Sequence, residues 1–224
     1  MENYPELLFE KFQKDLKSDN EVLLYPLSKD METTKAHSHD FYILLLFESG
    51  SGVHTIDSKD FVVKSKQLHF IQPQQVHRYR FNKGTAGYRL MISRKFFETF
   101  IAGLQYALAL YMKHPVFDLN DKDFENLWQE FNAVVEEIKA KRMFRQLIIA
   151  RFYVITYSIS NIAAPYFDDL TVYNGNPILL EYIALIDKYY INERSVSFYA
   201  EQLKITPNYL NILCKRDFIV RLQI

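Results

Sequence analysis

The chain has 224 residues, 49% of them apolar, and its 27 basic and 27 acidic side chains cancel to zero net charge. That balance excludes a global electrostatic pull toward nucleic acid or anionic membrane and leaves only local patches for such work. The single cysteine, Cys214, excludes an internal disulfide and fits a reducing compartment.

The N-terminal "MENYPELLFEKFQK" has no apolar signal core. The longest apolar run, Phe41 to Phe47, is too short to cross a bilayer. The expectation is a cytoplasmic protein with no membrane partner. From Glu21 onward, "EVLLYPL", "FYILLLFES", "GVHTI", "DFVVKS", "QLHFIQP", "HRYRF" and "YRLMI" are short and rich in β-branched and aromatic residues. They read as strands, with hairpins at "SGSG" and "DSKD". Many short strands at close spacing predict a sandwich or small barrel.

"HSHDFYILLLFESGSG" sets His37 and His39 two apart on a strand, so both face one side, and that side continues through Phe41 to Ile43. "IQPQQVHRYRF" brings His77 and Tyr79 with the same alternation. His37, His39, Ile43, His77 and Tyr79 are therefore the candidate lining of an interior pocket. Three histidines in this order suit a metal. Ile43 offers no lone pair, however, and Asp40 and Glu48 have the wrong parity for the pocket. No metal is expected, and the histidines read as satisfied groups at a barrel mouth. His54, His69 and His114 show no partner pattern and read as structural. No nucleophile constellation and no Gly-rich phosphate loop appear. Cys214 falls on an apolar helix stripe, and Glu136 and Glu137 on a solvated face. No enzymatic activity and no cofactor are expected.

Beyond "HPVFDLND" the period changes. Phe124, Leu127, Trp128, Phe131, Val134, Val135 and Ile138 fall at helical spacing, with Asp121 and Asp123 in the first turn and Lys139, Lys141 and Arg142 in the last. This stripe either packs on the barrel or pairs with its copy in a second subunit. Phe144 to Ile162 is apolar almost all round and predicts a buried helix. "AAPYFDDLTVYNGNP" reads as a loop and a domain boundary, and a further helix comes after Pro177. The expected fold class is α+β. Residues 1–117 would form the barrel, 118–165 a helical segment, and 177–224 a third module.

In that module Val196, Tyr199, Ala200 and Leu203 share one helical face, and Leu210, Leu213 and Cys214 another. Between them "KIT" breaks the helix. Thr206 can cap the second helix, and Pro207 suits its first position. This is helix-turn-helix spacing. The remaining face of the second helix carries Asn208, Asn211, Ile212 and Lys215. Asparagine pairs with adenine edges, isoleucine packs on thymine methyls and lysine reaches phosphates. Charges from Pro177 onward nearly cancel, where DNA-reading domains are usually basic.

"SVSFYAEQLKITPNYLNILCKR" closely resembles the first helix-turn-helix of the AraC family of bacterial transcription regulators, and "ILLEYIALIDKYYINE" resembles the opening helix of that domain. The histidine-bearing strands resemble the two cupin motifs and the sensor barrel of the same family, over about residues 20–95. The resemblance implies that the helix from Pro207 enters the major groove of double-stranded DNA with Asn208, Asn211 and Ile212 at base-reading positions. It also implies a small organic effector in the barrel and a homodimer formed through the helices beyond it. The family's domain has a second helix-turn-helix, whereas this sequence closes on "DFIVRLQI". The expectation is therefore a partial DNA-binding domain, which alone would bind in the non-specific range of ~10⁻⁴ to 10⁻⁶ M. Two rivals stay open. One is a truncated ligand-binding or dimerising protein that no longer reads DNA. The other is a metal-dependent cupin enzyme using His37, His39 and His77.

Overall fold

The computed structural model describes residues 4–16, 20–27, 33, 35–106, 108–140, 144–171 and 177–218, without side chains at 168–171, 177, 180, 183–184, 187 and 215–218. Among these, the strands pair in three sheets. The largest is antiparallel and joins β2 (Val22–Leu27), β4 (Tyr42–Ser49), β7 (Gln67–Ile71), β9 (Ala86–Ile92) and β10 (Val116–Asp118) in the order β10–β7–β4–β9–β2. A second contains β5 (Gly52–Ile56), β6 (Lys59–Val62) and β8 (His77–Phe81) in the order β6–β5–β8. The third pairs β1 (Glu6–Leu7) in parallel with β3 (Ser38–His39).

Local chemistry explains these choices. The apolar run of β4 suits a central strand covered on both faces, and its first six residues are all buried. In β8 the alternation His-Arg-Tyr-Arg-Phe becomes strictly alternating burial, with the arginines outside. The hairpin at "DSKD" turns on Asp57 and Ser58, both left-handed at φ 46° and 66°; two consecutive left-handed residues match the twist of the flanking strands. Phe41, Ile43, Leu45 and Phe47 meet Ile56, Tyr79 and Phe81 of the second sheet in one apolar core. The strands β1, β3 and β10 are too short to show a period in sequence. So is α1 (Phe9–Leu16), whose first N–H donates to Asp40 Oδ1 at 2.8 Å while Phe9 packs edge-on against Phe41.

After β9 come α2 (Arg94–Phe97), a 3-10 turn at Ile101–Gly103 and α3 (Leu108–Lys113), then α4 (Asp121–Lys139) and α5 (Arg145–Ala163). Asn120 caps α4 by accepting from the Asp123 N–H. Its stripe, Phe124, Leu127, Phe131, Val134 and Val135, is fully buried, and Trp128 stacks between Phe124 and Tyr88. Of the two alternatives open for the stripe, these five residues take the first and pack inside the unit.

A correction concerns α5. Its inner face, Ile148, Phe152, Ile155 and Ile159, is buried, but Phe144 just before it and Leu147, Val154 and Tyr157 are exposed. A helix laid on one layer covers one face only, whatever the composition of the other. The inner face continues an aromatic series that starts on the back of β4. Tyr42 stacks on Phe97 at 3.7 Å, Phe97 meets Phe100 at 5.1 Å, and Phe100 stacks on Phe152 at 4.7 Å. Such pairs add about 0.5–1.5 kcal/mol each beyond area burial. The stretch Arg145–Phe167 is long and apolar enough to cross a membrane by length and composition, unlike the shorter run noted in the sequence. Within it Thr156 and Ser160 are buried and hydrogen-bonded, Ser160 Oγ donating to Gly103 O at 3.3 Å.

The chain divides into two compact units, residues 1–105 with 111–163, and residues 106–110 with 164–224. The helices α4 and α5 thus share a unit with the sheets. The second unit contains a 3-10 helix, Ala164–Thr171, where a loop was expected, then α6 (Pro177–Tyr189), α7 (Val196–Gln202) and α8 (Pro207–Phe218).

Gly87 pairs with Phe47 beside the bulge in β4 and has φ +147°; a Cβ there would stand 2.0 Å from Leu46 O. Backbone cannot yield as a flexible side chain does. Gly87→Ala should lower unfolding free energy by at least about 2 kcal/mol, read as the urea midpoint at constant m-value.

Candidate functional site

The alternation of the strands aims one set of side chains at a cavity of about 280 Å³ inside the first unit. His37, His39, Phe41, Ile43 and Leu45 succeed one another along one wall, His77 and Tyr79 come from β8, and Arg89 and Met91 from β9. Leu7, Phe12 and Thr33 complete it. The five candidates His37, His39, Ile43, His77 and Tyr79 are thus brought together. The volume is at the small end of the ~300–1,000 Å³ typical of small-molecule sites. A wider depression of about 530 Å³ lies on the exposed face of the second sheet. There Thr55 Oγ1 donates to Asp60 at 2.6 Å and accepts from Arg78 Nε at 3.4 Å, so these three side chains already engage one another.

One of the cavity's polar groups, His77, ends a chain of histidines that the sequence did not reveal. His54 and His69, read as isolated structural residues, meet across the sheets: Nδ1 to Nδ1 is 2.9 Å, and His54 Nε2 lies 2.9 Å from His77 Nδ1. His77 in turn lies 4.4 Å from His37 and 5.1 Å from His39, ring centre to ring centre. The far end is fixed by Gln67, which is buried; its Oε1 accepts from the Lys64 N–H at 2.8 Å and meets His69 Nε2 at 3.2 Å. Gln67 Nε2 donates to Asp118 Oδ1 at 2.6 Å.

Burial governs protonation here. Desolvation holds His39 and His69 down to about pKa 3 and keeps His54 and His77 well below the ordinary value of 6.5; His37 is also lowered. Neighbouring imidazoles lower His39, His54 and His77 further, and Arg89 adds to the effect at His37, His39 and His77. All five are neutral at pH 7.

Arg89 is the second group without a signal in the sequence. It stands on the cavity face of β9, in register with Leu45 on one side and Tyr25 on the other. Nη1 donates to Tyr79 Oη at 3.3 Å, and the guanidinium lies 4.7 Å from the centre of the Tyr25 ring. Its Nε is buried with no hydrogen-bond partner, as are Nε2 of His39 and Nε2 of His77. Among the described residues no group of three His, Cys, Asp or Glu side chains is arranged to hold a metal ion.

In the second unit, Ser195 caps α7 through the Phe198 N–H, and Thr206 Oγ1 accepts from the Tyr209 N–H at 3.2 Å at the start of α8. Between them Lys204 is left-handed at φ 56°, and the Ile205 N–H returns to Ala200 O at 2.9 Å. Both helices contribute to one core containing Val196, Tyr199, Ala200, Leu203, Leu210, Leu213 and Cys214. Asn208 and Ile212 are exposed, and so is Tyr209 between them. Asn211 departs from expectation: it is only 7% exposed, and its Oδ1 has no partner. At 100° per residue Asn211 sits 60° from Cys214, so the buried arc of α8 is wider than its apolar stripe and takes Asn211 in. The side chain of Lys215 lies outside the described residues.

A family model, the AraC-like ligand binding domain, matches residues 23–150. This chain belongs to the AraC-like family. Solved structures with similarity to it include the AraC-like transcriptional activator CuxR, at 14% identity and TM-score 0.45, covering 87% of this chain and 70% of that one. ToxT from Vibrio cholerae bound to an unsaturated fatty acid gives 12% and 0.41, covering 89% and 92%. PAC13 from Streptomyces with uridine gives 13% and 0.30, covering 33% and 61%. No curated protein matches the chain. The AraC-like ligand binding region takes in every cavity residue except Leu7 and Phe12.

The buried histidines make the AraC-like unit acid-sensitive. Native His39 and His69 stay neutral to about pH 3, whereas the unfolded chain takes up protons below about 6.5. Their contribution is complete above pH 6.5 and is lost as pH falls toward 3. At pH 5 each should cost about 2 kcal/mol. Urea midpoints at pH 7 and pH 5 measure it; equal midpoints would show that these rings are not buried in neutral form.

Proposed function

We propose that this chain is a transcription regulator that binds double-stranded DNA under the control of a small-molecule effector, and that it works in the cytoplasm without catalysing a reaction. One observation carries the reading: His37, His39, Ile43, His77 and Tyr79 converge on one cavity within the AraC-like ligand binding region. The effector binds there. We read α7 and α8 as a helix-turn-helix, supported by the caps at Ser195 and Thr206 and the left-handed turn at Lys204.

The helix α8 lies in the major groove in this reading. Asn208 and Ile212 read base edges, and Lys215 contacts phosphate. Asn211, being buried, supports the helix from within instead of reading. An effector acts by population shift, binding one arrangement of the chain better than another and so changing how α8 is presented. The chain forms a homodimer, and its surface is the outer face of α5, where Leu147, Val154 and Tyr157 are exposed at helical spacing. Two copies would set two recognition helices against two half-sites.

A second reading has one observation behind it. Burial of Asn211 leaves one asparagine instead of two on the reading face. With charges nearly balanced from Pro177 onward, that fits a ligand-binding protein that no longer reads DNA.

Anisotropy with labelled duplexes from a selected pool, repeated over a salt series, separates the two readings. Asn208→Ala should relax base preference by about 1–3 kcal/mol, while Lys215→Ala should weaken all duplexes alike and reduce the salt slope by about one. Asn211→Ala should change thermal stability and leave base preference alone. Wild-type protein that shows no preference among duplexes favours the second reading. In sedimentation velocity, Val154→Glu should shift the chain from dimer to monomer; a wild-type monomer at all concentrations would remove the α5 surface.

A further inference from the structure

The cavity's hydrogen-bonding character stems from its anchors. A backbone N–H only donates, so Gln67 Oε1, not its amide nitrogen, faces Lys64, and the same oxygen faces His69 Nε2. His69 therefore carries its proton on Nε2 and accepts on Nδ1. His54 must donate there from Nδ1, which leaves its Nε2 to accept from His77 Nδ1. His77 is left with a bare Nε2. His39 reaches the same state by a separate route, since its Nδ1 donates to the Phe41 carbonyl at 2.5 Å. His37 Nδ1 faces the Lys35 carbonyl at 3.3 Å, which again leaves Nε2 bare. The imidazoles of the cavity wall thus keep a lone pair on Nε2, and those of His39 and His77 are buried beneath its surface with no partner, within reach of a ligand only after a small side-chain shift. A buried acceptor left unsatisfied is costly, and a ligand proton that reaches it recovers that cost.

Arg89 supplies the opposite character. Its charge is partly buried, its Nε is unpartnered, and no carboxylate among the described residues pairs with it. Apart from Thr33 and Tyr79, whose hydroxyls accept from the Tyr79 N–H and from Arg89, the rest of the wall, with Leu7, Phe12, Phe41, Ile43, Leu45 and Met91, is apolar. A neutral ligand would leave the guanidinium without a counter-charge, and an acid lacking a donor would leave the histidine lone pairs unmet.

We propose that the effector is a small organic acid carrying a hydroxyl group, its carboxylate on Arg89 and its hydroxyl donating to Nε2 of His77. This rests on the sensor reading of the cavity and narrows it to one ligand class. Gln67, at the far end of the histidine chain, is a positioning residue, because it sets which nitrogen His77 offers to the ligand.

The test is calorimetric titration of the full chain with two matched sets: 3-(4-hydroxyphenyl)propionate, 3-phenylpropionate and 4-ethylphenol, then 6-hydroxyhexanoate, hexanoate and 1-hexanol. The hydroxy acid should bind at least about ten-fold tighter than either companion in its set, the worth of one well-made buried hydrogen bond or charge contact. Arg89→Gln should abolish the preference for acid over alcohol, and Arg89→Lys should keep it. His77→Phe should abolish the preference for the hydroxylated acid over the plain acid, and thermal melting of each variant verifies its fold. Alcohols that bind as well as the hydroxy acids, or silence from both sets with folded protein, would overturn the ligand class. One zinc or nickel ion per chain, undisplaced by hydroxy acid, would also overturn it by assigning the lone pairs to a metal. DNA binding measured without any probe judges the regulator reading separately: a chain that binds DNA but none of these acids loses the ligand class and keeps the function.

Discussion

Double coverage of β4 is the constraint on which the other elements depend. The strand is paired on both edges and buried on both faces, so its two side-chain sets serve different partners. One set, from Ile43 to Phe47, meets the second sheet and extends the cavity wall begun by His37 and His39. The other reaches through Tyr42 and Phe97 to Phe100 and Phe152 of α5. A slip of one residue would exchange the two sets, turning imidazole-side partners toward the helices and aromatic rings toward the cavity. The bulge between Phe47 and Ser49, with Gly87 opposite, holds the register at the far end.

Polar groups inside so apolar a unit need a reason to stay. The histidine chain supplies most of its own partners, running from Asp118 through Gln67, His69 and His54 to His77. The groups it leaves unsatisfied lie on the cavity wall, alongside an arginine without a carboxylate partner. Native interiors rarely hold such groups without a use for them. Arg94 Nε and Arg151 Nε are unpartnered elsewhere in the unit, but only on the cavity wall do acceptors and a cation stand together, and that composition describes the ligand that would relieve them.

Much of this was legible in the sequence, and the rest was hidden for identifiable reasons. Period-two alternation gave the cavity face through His37, His39 and Ile43, because parity survives without knowledge of the partner strand. Capping residues gave the start of α8, because Thr206 acts within its own turn. His54 and His69 were illegible as partners since each lies alone on its strand and they meet only across two sheets. Arg89 in "YRLMI" carried no signal of its own, and only its register with Leu45 and Tyr25 places it on the cavity face. The exposed face of α5 was hidden by its uniformly apolar composition. Asn211 was misplaced because a helical wheel gives phase and not the width of the surface packed against it.

The proton order along the histidine chain has a spectroscopic consequence. The imidazole N–H groups of His54, His69 and His77 lie in rings less than 3% exposed, each directed at a fixed acceptor. Hydrogens shut away from water in this manner leave slowly for deuterium and resonate far downfield, apart from the crowded amide region. The protein therefore carries its own magnetic-resonance reporters, and the His77 signal answers directly to whatever enters beside it.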